Sequence, residues 1–289
     1  MKSFGNCLAY DKNFIILYVK EIQTMKLSKI LTGVFMAVLM TGCASNSGGS
    51  GESERAHINY QTREEILNFI DANWRDYGYS AKPDKFIALS FDDGPCGPSA
   101  YGGTEALLET LDALGIKAAF FVIGSNVRGN ISAARAIYAA GHELGNHSDS
   151  YTSLGSSQPD EIALSLNAAS AAIREITGEN PRLFRAPNLN HGTNLSGTCR
   201  NLGMALIDGS AHNDWPGDPQ SIKNSVLSNP RDGDIIILHE NNTSRGNTMA
   251  VLPEIAAGLR EKGFWFLTVS QLSIIKNRTL EAGARYSSL

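Results

Sequence analysis

Two adjacent carboxylates, Asp92 and Asp93, end a short apolar run in this chain of 289 residues. The run at 85–89 is typical of a buried strand, and Gly94 and Pro95 after the pair favour a turn. Adjacent like charges are costly at a strand end unless a cation lies beside them. Two different roles would explain the pair: one carboxylate would bind a metal ion, and the other would stay unligated and act as a base. A solvated turn is the competing interpretation, since these residues are also good turn formers.

Four further polar stretches follow apolar runs in the sequence. They lie at 142–148, 185–188, 208–215 and 238–240. Taken singly, each has an ordinary structural explanation, such as a hydrogen-bonded histidine, an ion pair, a turn or a strand cap. In a parallel barrel, however, the chemistry lies where the carboxyl ends of the strands run into loops. If all five stretches follow parallel strands, their side chains meet in one site.

The elements that would position these residues alternate regularly from residue 85 onward. Strands are predicted at 86–89, 118–123, 142–144, 183–185, 204–207, 235–238 and 264–269. Helices are predicted at 61–77, 103–114, 132–140, 159–177, 195–202, 219–227 and 252–261. The first helix also has the residues of a capping box, Thr62 and Glu65. This alternation predicts an α/β fold with a parallel, barrel-like sheet wrapped by helices.

The five stretches together resemble the motifs of the polysaccharide deacetylase family, the NodB-homology carbohydrate esterases. The motifs are, in family order, 90–95 (SFDDGP), 143–148 (ELGNHS), 184–187 (FRAP), 214–215 (DW) and 236–239 (IILH). The similarity extends over about 83–272. It implies an α/β fold of the distorted (β/α)7 barrel type and a hydrolase that removes acetyl groups from a polysaccharide.

The resemblance implies a metal site with one departure from the family pattern. Asp93 and His147 would bind one divalent ion, with zinc as the default and cobalt or nickel as alternatives. The family normally has a second histidine four residues after the first, where this chain has Tyr151. Water, the Tyr151 hydroxyl, or His191 or His212 from a loop are the candidates for the third ligand. A metal-free protein that only binds sugar is therefore an alternative.

The resemblance also implies roles in proton transfer. Asp92 would take a proton from the attacking water and His239 would protonate the leaving group. Arg185 would orient Asp92 and lower its pKa, whereas Asp214 would favour the protonated form of His239. A further histidine, His142, is expected to point away from the site.

A third group of residues would contact the substrate. The backbone N–H of Asn188 would stabilise the developing oxyanion. Trp215 and Leu238 would wall the pocket for the acetyl methyl group, next to Pro187. Many family members have an aromatic residue in place of Asn188, so stacking of such a ring on sugar would be lost here.

Two acetyl chemistries fit these residues. O-acetyl ester hydrolysis on xylan is favoured, because an ester carbonyl is more reactive and its alkoxide leaves more easily than an amine. The missing second histidine and Asn188 also resemble the acetylxylan esterase-like branch of the family. N-deacetylation of chitin-type or peptidoglycan N-acetylglucosamine is the alternative, and a binding-only lipoprotein is the second alternative.

The N-terminal region resembles an export signal. A basic segment beginning at Met25 precedes an eleven-residue apolar run at 30–40, which is too short to span a bilayer. Gly42 and Cys43 then resemble a bacterial lipobox, with Cys43 acylated as a membrane anchor. A plain secretory signal with an incidental cysteine is the alternative. Since 1–23 do not fit such a signal, Met25 is expected to be the true start.

The predicted organisation and partners follow from these patterns. The segments are an upstream extension and signal peptide (1–42), a Gly/Ser-rich tether (43–55), an N-terminal helical segment (56–82), the catalytic domain (83–275) and a C-terminal tail (276–289). The formal charge of −4 gives no indication of nucleic-acid binding. We expect a monomer, exported to the cell envelope, that acts on an acetylated polysaccharide. In an exported protein a disulfide between Cys96 and Cys199 is permitted.

Overall fold

The computed structural model describes residues 62–98, 102–210, 212–215, 217–240 and 246–289. The predicted signal peptide, Cys43, the tether at 43–55 and the proposed start at Met25 lie outside the described residues. Among the helices within these ranges, none is long and apolar enough to cross a membrane.

The sheet of the described residues has eight strands, and every pairing between them is parallel. The strands are β1 (Lys85–Asp92), β2 (Ala119–Val122), β3 (Glu143–Asn146), β4 (Leu183–Phe184), β5 (Ala205–Ile207), β6 (Ile235–His239), β7 (Phe264–Leu267) and β8 (Arg285–Tyr286). Their order is β6-β1-β2-β3-β4-β5-β8, with β7 paired to the first half of β1.

Helices connect successive strands over the described part of the chain. They are α1 (Arg63–Asn73), α2 (Gly103–Leu114), α3 (Gly124–Gly129), α4 (Ile131–Ala139), α5 (Pro159–Thr177), α6 (Leu195–Asn201), α7 (Pro219–Leu227), α8 (Gly246–Glu261) and α9 (Val269–Ile275). The capping box expected at α1 is present, because the Thr62 hydroxyl accepts from the Glu65 N–H and the Glu65 carboxylate accepts from the Thr62 N–H. The α3 and α9 helices and the strand β8 were not predicted, and β8 lies within the 276–289 segment assigned to a tail.

The sheet curls toward closure between β5 and β6. The segment after β5 bonds to β6, through the Ser210 N–H to the Ile235 carbonyl at 2.7 Å and a parallel bridge between Asn213 and Ile237. The architecture is a parallel, curled half-barrel with helices outside. The prediction of an α/β, distorted (β/α)7 barrel is therefore confirmed.

The two faces of the strands belong to different apolar clusters. On β6, Ile236 and Leu238 pack with helices α2, α7 and α8 on the outside, whereas Ile235 packs inside the barrel. Successive side chains on a strand point to opposite faces, so Ile237 and His239 share the inner side with Ile235. This alternation decides which residues of each strand reach the site.

Cys96 and Cys199 are free thiols, so a disulfide between them is not formed. Cys199 lies on α6, completely buried beside Leu195 and Phe184 in a third apolar cluster. Cys96 lies in the loop after β1, where its N–H donates to the Thr104 hydroxyl at 2.8 Å. The possibility that the sequence left open is therefore corrected: each cysteine is held by its own local packing.

Candidate active site

Asp92 is the last residue of β1 and is buried at the carboxyl end of the barrel. Its Oδ1 accepts a hydrogen bond from Arg185 Nη1 at 2.7 Å. Burial alone would raise the pKa of the Asp92 carboxyl, but the positive charge of Arg185 and the nearby His147 and His239 outweigh it, so the pKa lies below its ordinary value. The structure thus brings together the carboxylate and the guanidinium that the sequence paired.

Arg185 is completely buried and fixed by several contacts. Its Nε donates to the Ile207 carbonyl at 2.9 Å, and Nη1 also lies 2.8 Å from Ser90 Oγ. The guanidinium carbon lies 4.1 Å from the centre of the Phe121 ring. Because the side chain is held on several sides, its charge stays next to Asp92. A buried cation held in this way offsets part of the cost of burying the Asp92 carboxylate.

His239 ends β6 and is the register partner of Asp92 on the neighbouring strand. Its Nδ1 lies 2.8 Å from Asp214 Oδ1, and its backbone N–H donates to Asp214 Oδ2 at 3.0 Å. Burial alone would lower the pKa of His239, but the hydrogen bond to Asp214 and the charges of Asp92, Asp214 and Asp93 outweigh burial, so the pKa is raised. Asp214 is completely buried and also accepts from the Thr248 hydroxyl at 2.8 Å.

His147 and Asp93 lie side by side next to Asp92. His147 Nε2 is 3.4 Å from Asp93 Oδ1 and 4.0 Å from Asp92 Oδ2. His147 Nδ1 lies 2.8 Å from the Arg185 carbonyl, which can only accept, so Nδ1 carries a hydrogen and Nε2 is the ring atom that faces the carboxylates. Ligand bonds of about 2.0–2.2 Å place two ligand atoms of one ion about 3 Å apart. The pair therefore fits a shared divalent cation.

The other histidines do not complete this pair. Within the described ranges, there is no group of three or more His, Cys, Asp or Glu side chains that could hold a metal ion. His191 Nε2 lies 2.9 Å from Asp208, and His212 Nε2 lies 3.0 Å from Asp234, so each has its own carboxylate partner. His142 is buried and accepts the Ala118 N–H at 3.1 Å through Nδ1, away from the site as expected.

A cavity of about 270 Å³ opens beside these residues at the barrel mouth. Twelve residues line it: Asp92, His147, Tyr151, Ala186, Asn188, Leu189, Gly209, Ser210, Asn213, Trp215, Ile237 and His239. Trp215 is 63% exposed, and its ring centre lies 5.8 Å from that of His239.

Two of the predicted substrate residues do not line this cavity. Leu238 is completely buried in the outer core, and its neighbour Ile237 faces the cavity instead. The strand alternation explains this correction, since residue 239 must point inward and residue 238 must therefore point outward. Pro187 is buried at the start of a 3₁₀ turn (Pro187–Leu189), and the residues on either side of it line the cavity.

Several contributors to the site were missed from the sequence. Ile237 could have been found by counting alternate positions back from His239. Ser90 belongs to the first motif, but only the fold shows that its hydroxyl contacts Arg185. Thr248 carried no local signal, because it reaches Asp214 from a helix that follows in the chain. Such contacts between distant segments depend on tertiary packing.

These features define a class of site. One cavity holds a carboxylate whose pKa is lowered and a histidine whose pKa is raised, which is the pattern of an acid and base pair at a hydrolytic centre. The adjacent carboxylate and imidazole fit a cation. A parallel barrel that carries an acid and base pair and a possible cation site at the carboxyl ends of its strands is typical of an enzyme.

The comparison with known proteins gives the family. The family described as polysaccharide deacetylase matches residues 79–207. A peptidoglycan-N-acetylglucosamine deacetylase of Bacillus cereus is 32% identical over 194 residues, which are 65% of this chain and 88% of that protein. The chain belongs to the polysaccharide deacetylase family of carbohydrate deacetylases and esterases.

Two further similar proteins have names that refer to xylan. A bifunctional xylanase/deacetylase of Pseudobutyrivibrio xylanivorans is 34% identical over 204 residues, 69% of this chain, but the chain spans only 32% of that protein. The structure of a family 4 acetyl xylan esterase from Clostridium thermocellum, in complex with a cobalt ion, matches with a TM-score of 0.65 and 31% identity. That match covers 71% of this chain and 99% of the esterase.

Proposed function

We propose that this protein removes acetyl groups from a polysaccharide, with Asp92 as the base and His239 as the acid. The observation that carries the proposal is the pairing of these residues as register partners on β1 and β6, on one cavity, with pKa values displaced in opposite directions. Each has a buried partner that shifts its pKa: Arg185 lowers the pKa of the Asp92 carboxyl, and Asp214 raises the pKa of the His239 imidazole.

The base step uses the free oxygen of Asp92. Arg185 occupies Oδ1, so Oδ2 is the atom that accepts a proton from the water attacking the acetyl carbonyl. The lowered pKa keeps Asp92 ionised at neutral pH, ready to accept. Asp93 Oδ1 and His147 Nε2 would hold a divalent ion; such an ion, when bound, polarises the carbonyl and acidifies water.

The acid step uses Nε2 of His239. Nδ1 is engaged by Asp214, so Nε2 is the atom that gives a proton to the departing sugar oxygen or nitrogen. The raised pKa of His239 keeps more of it protonated near neutral pH. Asn188 would supply its N–H to the oxyanion, and Ile237 and Trp215 would contact the acetyl methyl group.

A sugar substrate is supported by the residues around the cavity. The described part of the chain has five exposed large apolar side chains, Ile131, Tyr151, Leu164, Leu189 and Trp215. Three of them line this one cavity, beside the polar groups of Asn188 and Ser210. Apolar faces interleaved with hydrogen-bonding groups suit sugar rings, which present both C–H faces and hydroxyls.

We favour O-acetyl esters on xylan as the substrate. The alkoxide released from an ester needs less protonation than an amine, so the easier reaction better tolerates a cation held by one histidine and one carboxylate. The xylan-related relatives support this choice. N-deacetylation of N-acetylglucosamine polymers is the second candidate, because the relative from Bacillus cereus is named for that reaction at a similar identity.

Acetate release tests the proposal. Purified protein would be assayed on acetylated xylan and on chito-oligomers, with added zinc or cobalt and after chelation. We expect release from acetylated xylan that chelation abolishes, and losses of at least about a hundredfold in Asp92→Asn and His239→Ala. Release from chito-oligomers alone would select the second candidate. Polysaccharide binding without any acetate release would leave only a binding protein.

We also propose that the protein is exported and anchored through a lipid on Cys43, as the lipobox-like sequence indicates. Labelled fatty acid should be incorporated by the wild type and not by Cys43→Ser. Recovery of an unlabelled wild-type protein from the culture medium would favour a plain secretory signal.

A further inference from the structure

Tyr151 occupies the position where the family has its second metal-binding histidine, but its hydroxyl has a defined partner. It donates a hydrogen bond to Asn188 Oδ1 at 3.0 Å. The two residues are 37 positions apart, in the loops that follow the neighbouring strands β3 and β4. Both line the cavity. The bond therefore joins two loops across one wall of the site.

The loop that carries Tyr151 is itself anchored. The N–H groups of Gly124 and Ser125, at the start of α3, donate to the carbonyls of Ser148 and Asp149 at 3.0 and 2.9 Å. The Asp149 N–H donates to the Ser165 hydroxyl on α5 at 3.1 Å. These contacts fix the chain just before Tyr151, so its hydroxyl is presented from a supported backbone.

The partner residue lies in an unfavourable backbone conformation. Asn188 has a φ of 56° and a ψ of 19°, and the next residue, Leu189, also has a positive φ of 52°. Left-handed conformations of residues other than glycine are uncommon and cost about 1–2 kcal/mol, although asparagine tolerates them best. The N–H groups of Leu189 and Asn190 close the turn on the Ala186 and Pro187 carbonyls. A side-chain bond to Asn188 opposes relaxation of this turn.

We propose that Tyr151 is a positioning residue that holds Asn188, and not a ligand of the cation. The inference rests on the proposed function, in which the Asn188 N–H stabilises the oxyanion. A phenolate ligand would have no proton to donate, and its charge would then face the carbonyl oxygen of the Asn188 amide. The hydrogen bond and ligation as phenolate are therefore mutually exclusive.

The test combines Tyr151→Phe, Asn188→Gly and the double variant. Glycine keeps the backbone N–H and adopts the left-handed conformation freely, but it removes the acceptor. For Tyr151→Phe we expect kcat to fall by about fivefold to tenfold with KM changed less than twofold, as for loss of one hydrogen bond. In the Asn188→Gly background the same change should have no further effect. Tyr138→Phe, on α4, is the matched control and should leave kcat unchanged.

Cation binding separates the two roles of Tyr151 without any activity measurement. Calorimetric titration with Co²⁺ should give the same dissociation constant, within twofold, for the wild type and Tyr151→Phe. A tenfold weaker affinity in Tyr151→Phe, or an undiminished kcat loss in the Asn188→Gly background, would overturn the proposal.

The free energy of unfolding tests this inference independently of the proposed function. It would be measured for the wild type, Tyr151→Phe, Asn188→Gly and the double variant. If the wild type releases no acetate, the proposed function fails, and coupling between the two positions in the unfolding free energy still decides whether they act as a pair. Additive effects on stability would then reject the pair as well.

Discussion

At the scale of single residues, the site depends on two charges that buried partners maintain. Asp92 and His239 have neighbouring places on β1 and β6, yet Arg185 lowers one pKa and Asp214 raises the other. Each partner comes from a different strand end or loop. The chemistry thus depends on the packing of groups that are far apart in the sequence.

The contribution of Asp214 can be tested by its effect on pH dependence. In Asp214→Asn the pKa of His239 should fall, because a hydrogen-bonded negative charge is removed. Less His239 is then protonated above neutral pH, so the basic limb of kcat/KM should move to lower pH. Steady-state rates on acetylated xylan between pH 5 and pH 9 would measure the shift.

A matched control is Asp218→Asn. Asp218 caps α7 through the Ser221 N–H outside the cavity, and asparagine caps helices equally well. The pH dependence of kcat/KM in Asp218→Asn should coincide with that of the wild type. An unmoved basic limb in Asp214→Asn would mean that another group controls this ionisation.

At the scale of elements, β6 shows how one strand serves both the core and the site. Ile237→Ala should enlarge the cavity and raise the ratio of propionyl to acetyl turnover, with little loss of acetyl turnover per folded molecule. Leu238→Ala should leave that ratio unchanged but lower the unfolding free energy by about 2–5 kcal/mol, as for other buried leucines. Acyl-chain competition assays and urea denaturation give both quantities. If Leu238→Ala changed the ratio of propionyl to acetyl turnover and Ile237→Ala did not, the assignment of Ile237 to the cavity and Leu238 to the core would be wrong.

Much of the arrangement of elements could be predicted from the sequence, since polar residues follow apolar runs at the end of β1, β3, β4 and β6. The predicted strands overlap β1 to β7, and the pairs Asp92 with Arg185 and Asp214 with His239 meet as expected. The motif identified Leu238, but the face on which its side chain lies follows only from the alternation of side chains along β6. The strand β8 was missed because no apolar run marks Arg285 and Tyr286, and only their pairing with β5 makes them a strand.

At the scale of the whole molecule, the described domain is held by packing rather than by a disulfide. Since Cys96 and Cys199 are free, reductant should leave the thermal midpoint unchanged within about 1 °C. Cys199→Ala should cost about 1 kcal/mol, as loss of a small buried group does. A bridged pair would instead lose about 2–5 kcal/mol on reduction. Calorimetric scans with and without dithiothreitol distinguish these outcomes.

Acid stability is the second whole-molecule property that the fold determines. His142 is buried at the end of the barrel opposite the site, where its Nδ1 must stay unprotonated to accept the Ala118 N–H. Burial, with a smaller effect of Lys117, lowers the pKa of His142 to about 3 from its ordinary 6.5. Between these values the unfolded chain binds the proton and the folded one does not. His142 therefore destabilises the fold progressively as the pH falls below about 6.5, by up to about 1.4 kcal/mol per pH unit.

The variant His142→Gln keeps an acceptor for the Ala118 N–H but cannot titrate. Buried acids also change stability with pH; Glu240, whose pKa is raised to about 8 by burial, does so in the opposite direction to His142. The difference between the two proteins isolates His142, because those acids are common to both. From pH 7.5 to pH 4.5 the wild type should lose about 2 kcal/mol more unfolding free energy than His142→Gln. Urea denaturation followed by circular dichroism at the two pH values measures this difference, and equal losses would mean that His142 takes up a proton within the folded barrel.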